Sequence, residues 1–177
     1  MTLFLIGYMA SGKTTLGRAF ARATGMQFID LDFYIEQRFR KSISQIFAEE
    51  GEERFREIER EMLHEAGEFC DAVISCGGGT PCFFDNMDFM NERGTTVWLR
   101  ASVDRTVHRL LEAKTRRPIV ERIPREELSD FIATHLNERI PYYSKARIEF
   151  DSNELEFRRQ IDEQVNRLRS LLETLQS

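Results

Sequence analysis

Cysteine, proline, positive charge and long apolar runs are all in short supply in this chain of 177 residues. The three cysteines, Cys70, Cys76 and Cys82, form no C-x-x-C spacing, and their odd number argues against a disulfide framework. No apolar run approaches the roughly 18 residues of a membrane span, and no basic-then-apolar leader is present. The expected location is therefore the cytoplasm, with no membrane partner. Lys and Arg number 25 against 30 Asp and Glu, and the net charge of −5 argues against a nucleic-acid partner. There are four prolines, no repeat, no low-complexity stretch and no Pro-, Gly- or Ser-rich linker, so residues 1–177 read as one domain. A chain of this length buries a substantial core without staples, and a monomer is the expected state.

What the sequence does contain is alternation. Short apolar runs at Leu3–Ile6, Gln27–Leu31, Ala72–Cys76, Thr95–Leu99 and Ile148–Phe150 are separated by amphipathic stretches. Helical patterns cover Lys13–Ala23, Phe33–Phe39, Glu52–Ala66, Val103–Leu111, Glu126–Arg139 and Glu154–Leu175. Near-continuous apolar strands alternating with helices predict a parallel sheet buried on both faces. The fold class is α/β: a three-layer, doubly wound sandwich around five parallel strands. Such sheets bind ligands beyond the carboxyl ends of their strands. Polar motifs do cluster there, at Gly7–Thr14, at Asp30 and Asp32, and at Gly77–Gly79.

Gly7-Tyr8-Met9-Ala10-Ser11-Gly12-Lys13-Thr14 matches G-x-x-x-x-G-K-[ST] in full, with a strand before it and a helix after it. Small residues let the backbone N–H groups of Gly7, Ala10, Ser11, Gly12 and the following Thr14 and Thr15 curl around phosphate oxygens at a helix start. Lys13 supplies a charge that reaches β- and γ-phosphates, and the Thr14 hydroxyl is an oxygen ligand for Mg²⁺. The loop predicts a nucleoside triphosphate site but not its use. A guanine-nucleotide switch would carry an N-K-x-D run, which is absent. A small kinase needs only an acceptor pocket, a metal and a lid.

Several weaker motifs bear on the acceptor. Asp30 and Asp32 close the second apolar run, and strand alternation would point both to one side, toward a metal and an acceptor hydroxyl. The alternative is that Asp32 simply caps the helix at Phe33–Phe39. In "GEERFREIERE", Phe55, Ile58 and Met62 share a helix face, leaving Arg56 and Glu59 on its edge. They form either a solvated ion pair or an oriented guanidinium that clamps a carboxylate. The glycines at Gly77–Gly79 mark close backbone approach, unusual φ values or a tight turn. Cys76 and Cys82 beside them read as packing residues, as do Tyr142 and Tyr143. "EAKTRRPIVERIPREE" is loop-like, and its Arg116 and Arg117 suit a lid that excludes water and neutralises phosphate charge. Arg139 falls near the end of a helix expected to stop before Pro141.

Taken together, these motifs resemble the shikimate kinase family over nearly the whole chain. The matching elements are G-x-x-x-x-G-K-T at Gly7–Thr14, D-x-D at Asp30/Asp32 and F-R-x-x-E at Phe55–Glu59. They continue with G-G-G at Gly77–Gly79, R-P at Arg117-Pro118 and R-x-P-x-Y at Arg139–Tyr143. The resemblance implies a nucleoside monophosphate kinase-like fold with a substrate-binding region near 32–60 and a lid near 112–125. It implies transfer of the γ-phosphoryl of ATP to the 3-hydroxyl of shikimate, a step toward chorismate and the aromatic amino acids. By motif, Asp32 contacts the shikimate hydroxyls and serves as base, while Arg56 and Arg139 grip the carboxylate beside Gly78 and Gly79. Thr14, and Asp30 through water, hold Mg²⁺. Lys13 and Arg117 stabilise the phosphates, and the region of Arg109 contributes to the adenine site. The competing readings are a sibling kinase for gluconate or a nucleoside monophosphate, and an ATP-binding regulatory module whose acceptor site has decayed.

Overall fold

The computed structural model describes residues 1–113 and 122–176. Five strands form one sheet: β1 (Thr2–Ile6), β2 (Gln27–Asp30), β3 (Ala72–Ser75), β4 (Thr95–Arg100) and β5 (Ile148–Asp151). All neighbouring pairs are parallel, in the order β2-β3-β1-β4-β5. The described helices are α1 (Lys13–Thr24), α2 (Leu31–Phe39), α3 (Ile43–Gly67), α4 (Asn86–Arg93), α5 (Val103–Glu112), α6 (Leu128–Tyr143) and α7 (Arg158–Gln176).

The central strand explains its own unbroken apolarity. Leu3 and Leu5 join one core cluster with Leu16 and Phe20 of α1 and Val165, Leu168 and Leu172 of α7. Phe4 and Ile6 join the opposite cluster, with Ile35, Ile58, Met90, Leu110 and Ile132 from the remaining helices. Successive side chains of a strand point to opposite faces, so a strand covered on both must be apolar at every position. β1 leads to β2 on one side of the sheet, whereas the adjacent β3 leads to β4 on the other. Where connections diverge in this way, a crevice opens beyond the strand ends. Gly7 follows β1 and Gly77 follows β3, so both loops meet in it.

Several boundaries differ from expectation. Helix α3 begins at Ile43, where Ser42 and Gln45 form a reciprocal capping box. The pattern at Glu52–Ala66 is only its second half, because Gly51 (φ 81°, ψ 173°) interrupts it. Helix α4 was not anticipated. Helix α6 continues through Pro141 to Tyr143, where Ser144 N–H still donates to the Ile140 carbonyl at 2.8 Å. Tyr143 is fully buried, and its anchorage outweighs the proline's missing donor. Helix α7 starts at Arg158 rather than Glu154, and Leu155 turns into the α1-side core instead.

Among the described residues, nothing beyond its chain neighbours and its own helix backbone lies within 4 Å of a Cβ placed on Gly51. Its conformation is therefore a pure backbone demand, in a region open essentially to glycine alone. Gly51→Ala is expected to cost about 1–3 kcal/mol, read as a lowered urea midpoint with an unchanged m-value.

Candidate active site

The phosphate loop links β1 to α1 with three residues at positive φ: Gly7 (141°), Ala10 (58°) and Gly12 (95°). A Cβ on Gly7 would lie 2.5 Å from the Leu99 carbonyl oxygen of β4, so only a bare backbone fits against that strand. Gly12 occupies the N-cap of α1 without any side-chain cap, which leaves the first-turn amides directed at an anion. Lys13 Nζ donates to the carbonyls of Gly7 and Tyr8 at 2.8 Å each. The ammonium is thereby held over the loop. Arg109 fastens the loop from the other side. Its guanidinium donates to Ala10 O at 3.2 Å, Ser152 O at 2.8 Å and Asn153 O at 3.0 Å.

Across the cleft, Asp30 ends β2 and caps α2. Its Oδ1 accepts from Phe33 N–H at 3.3 Å and its Oδ2 from the Thr14 hydroxyl at 3.3 Å. The cap is thus Asp30, not Asp32, which sits one residue into the helix. The shared direction of the two carboxylates comes from this strand-to-helix turn rather than from strand alternation. Both line a cleft of ≈ 370 Å³ with Lys13, Thr14, Gly78 and Arg109. Ala10, Gly12 and Thr15 border the same space.

The glycine turn adjoins this cleft, and none of its residues is at positive φ. Its demand is close approach. A Cβ would lie 3.0 Å from Asp32 Oδ1 at Gly77, 3.1 Å from Arg139 Nη1 at Gly78 and 2.8 Å from Arg56 Nη1 at Gly79. A Cβ on Gly77 would also lie 3.1 Å from Glu59 Oε1. Arg56 also donates to Glu59 Oε2 at 2.9 Å, and Glu59 is 1% exposed, so the solvated-pair reading fails. The other Glu59 oxygen accepts from the Thr80 hydroxyl at 2.6 Å. The Phe83 ring lies 4.1 Å from the guanidinium carbon of Arg56 and stiffens it further. Tyr143 Oη donates to Gly78 O at 2.6 Å. Burial pushes its phenol well above the ordinary range, although Arg139 opposes this. Arg56, Gly79 and Arg139 line a second cleft of ≈ 370 Å³ beside the same turn, with Arg139 5.5 Å from the Tyr8 ring of the phosphate loop.

A family model for shikimate kinase matches residues 9–169. The shikimate kinase of Phocaeicola vulgatus is 54% identical over 170 residues, covering 96% of this chain and 97% of its own. The chain belongs to the shikimate kinase family. It is a kinase that phosphorylates shikimate, with ATP as its other substrate. The 1.7 Å crystal structure of the shikimate kinase from Bacteroides thetaiotaomicron superimposes with a TM-score of 0.95 at 53% identity, covering 98% of each chain. That of Acinetobacter baumannii shikimate kinase in complex with shikimate gives a TM-score of 0.84 at 29% identity, covering 98% of this chain and 93% of that one.

Within this member of the shikimate kinase family, most of the expected site residues that are described line the first cleft, Arg56, Gly79 and Arg139 line the second, and Gly7 and Ser11 of the loop line neither. Arg117, with most of the expected lid, lies outside the described residues. Cys76 packs as expected, its sulfur 3.6 Å from that of Met90, and burial drives its thiol pKa far up. Cys82 and Tyr142 do not simply pack; they line the second cleft beside the arginines. Four contributors escaped the sequence: Thr80, Phe83, the Tyr143 hydroxyl and His135. For the last, the one-turn spacing from Arg139 was a usable signal.

Glu59→Ala removes the acceptor of the Thr80 hydroxyl and leaves Arg56 with Glu52 alone, and is expected to destabilise the fold by about 1–3 kcal/mol. Glu59→Gln should cost clearly less, since its amide oxygen still accepts from Arg56 while its NH₂ donates to Thr80. Guanidinium unfolding of the two variants checks the difference.

Proposed function

We propose that this cleft transfers the γ-phosphoryl of ATP to the 3-hydroxyl of shikimate, with roles divided as follows. Lys13 and the loop amides from Gly7 to Thr15 hold the phosphates, and Arg109 borders the adenine. Asp32 orients the acceptor and takes the hydroxyl proton as the P–O bond forms. Arg56 and Arg139 bind the acceptor carboxylate against Gly78 and Gly79. Arg117, in a lid near residues 112–125, neutralises phosphate charge during transfer, and residues near 32–60 form the acceptor region. We read the chain as a cytoplasmic monomer on its composition and net charge of −5.

The observation that carries the acceptor assignment is the pair of guanidinium groups, from two different helices, lining one cleft next to the phosphate loop. A carboxylate can be held by both guanidinium forks at once, with Glu59 keeping Arg56 in place, whereas a neutral sugar calls for neither.

The donor set also suits Mg²⁺. The Thr14 hydroxyl and the Asp30 carboxylate are hard oxygens 3.3 Å apart. No group of three or more His, Cys, Asp or Glu among the described residues could hold a metal. Mg²⁺ commonly takes one or two protein oxygens and completes its shell with water and phosphate. Thr14, and Asp30 through water, would hold it, and when bound it neutralises charge between the β- and γ-phosphates. Catalysis then rests on positioning and charge, with no covalent enzyme intermediate.

Mg²⁺-dependent ADP release from ATP, assayed separately with shikimate, gluconate and AMP, tests the acceptor. Release with shikimate alone is expected; release with gluconate or AMP instead would overturn the assignment. Lys13→Ala should abolish turnover while leaving the thermal transition intact. Arg56→Ala should raise the KM for shikimate about ten- to hundredfold, with the KM for ATP nearly unchanged.

A further inference from the structure

His135 lies one turn before Arg139 on α6 and joins two parts of the site. Its Nε2 is 3.0 Å from Arg139 Nη2, and its Nδ1 is 2.9 Å from the hydroxyl of Tyr8 in the phosphate loop. The Tyr8 ring meets the imidazole edge-on at 5.6 Å, and Phe131 packs beside it at 5.4 Å. The chemistry of these contacts fixes the protonation state. A guanidinium only donates, so Nε2 must accept, and the proton of the neutral ring resides on Nδ1, donating to Tyr8 Oη. An imidazolium has no lone pair with which to hold Arg139.

We propose that neutral His135 is a positioning residue: it accepts from Arg139 and aims that guanidinium at the acceptor carboxylate. The inference rests on the reading of Arg139 as a carboxylate ligand. The groups facing the ring are consistent with a neutral state at pH 7. From α6 they are Arg139, Glu138 and Tyr142, and from the phosphate loop, Tyr8. Across the cleft stand Arg56 and Glu52 of α3 and Cys82 beyond the glycine turn. Burial and the Arg139 charge hold the imidazole below its ordinary value, and Glu138 opposes them more weakly. The neutral form therefore persists below the usual histidine range. Only on further acidification does a second cation form 3.0 Å from Arg139 and release it. Acceptor affinity should be fully present at neutral pH and fall as the solution is made acid.

The test is the KM for shikimate and kcat at saturating ATP between pH 5.5 and 8, for wild type, His135→Gln and His135→Phe. Gln keeps an acceptor for Arg139 and cannot titrate; Phe keeps the aromatic packing and offers no acceptor. Wild-type KM should stay level through the ordinary histidine range and rise only toward the acid end, by less than about tenfold at pH 5.5, because the imidazole is held below its ordinary value, with kcat changing less. Gln should match the wild-type KM at pH 7.5 and stay flat, whereas Phe should be raised about tenfold across the whole range. A wild-type KM in the Phe variant, an acid rise retained in the Gln variant, or a KM that falls on acidification would each overturn the proposal. Arg139→Ala separates the two layers. If it leaves KM unchanged, the carboxylate reading itself fails; if it raises KM and His135→Phe does not, only the role of His135 fails.

Discussion

A bare stretch of backbone, Gly77–Gly79, sets the dimensions of everything around it. Asp32, Arg139 and Arg56 each lie 2.8–3.1 Å from where a Cβ on one of these glycines would stand, so a side chain there would have to push the charged group aside. The three side chains arrive from α2, α6 and α3, so one turn registers three helices against the end of β3. The turn is in turn held by Tyr143 through the Gly78 carbonyl and by Thr80, which passes the constraint on to buried Glu59. Packing and chemistry share the same atoms here.

Electrostatics explains why such tight registration is worthwhile. Phosphoryl transfer to an anionic acceptor brings like charges together, and the protein must supply fixed cations where water cannot reach. Fixing a long cationic side chain sacrifices rotamer entropy, which preorganised contacts lessen. Arg56 is bracketed by Glu59, Glu52 and Phe83, and Arg109 by three backbone carbonyls. On α6, His135, Arg139 and Tyr143 recur every four residues and thus occupy a single stripe. That stripe faces the phosphate loop at one point and the glycine turn at another.

Much of this was legible in the sequence because it depends on local pattern. All five apolar runs became strands within a residue or two; β1, β3 and β4 are covered on both faces and leave a continuous signal, while edge strands β2 and β5 are partly exposed. The phosphate loop was legible because its glycines answer to backbone geometry, which a motif records directly. Helix α4 and the first half of α3 were not, being short segments with little amphipathic contrast, although Ser42 and Gln45 carried a capping signature. The end of α6 was misjudged because Pro141 argues locally for a stop, while Tyr143 argues for continuation through contacts far away in sequence. The same distance hid Thr80 and Phe83: nothing local tells a threonine that it will meet a buried glutamate 21 positions earlier. Glycine at 77–79 was recognised as costly, yet the sequence did not say whether torsion or crowding required it.

The break at Gly51 has a meaning for how this scaffold can diversify. In an uninterrupted helix, each residue inserted or deleted turns everything beyond it by about 100°, so a change near Ile43 would swing Arg56 out of its cleft. The joint at Gly51 can absorb such a change, because its φ and ψ are not helical and the two halves do not follow one continuous helical path. The stretch before the joint is therefore at liberty to lengthen, shorten or alter its face toward a new acceptor, while Arg56 and Glu59 keep their orientation. A single achiral residue separates the segment at Ile43 from the one that carries Arg56 and Glu59.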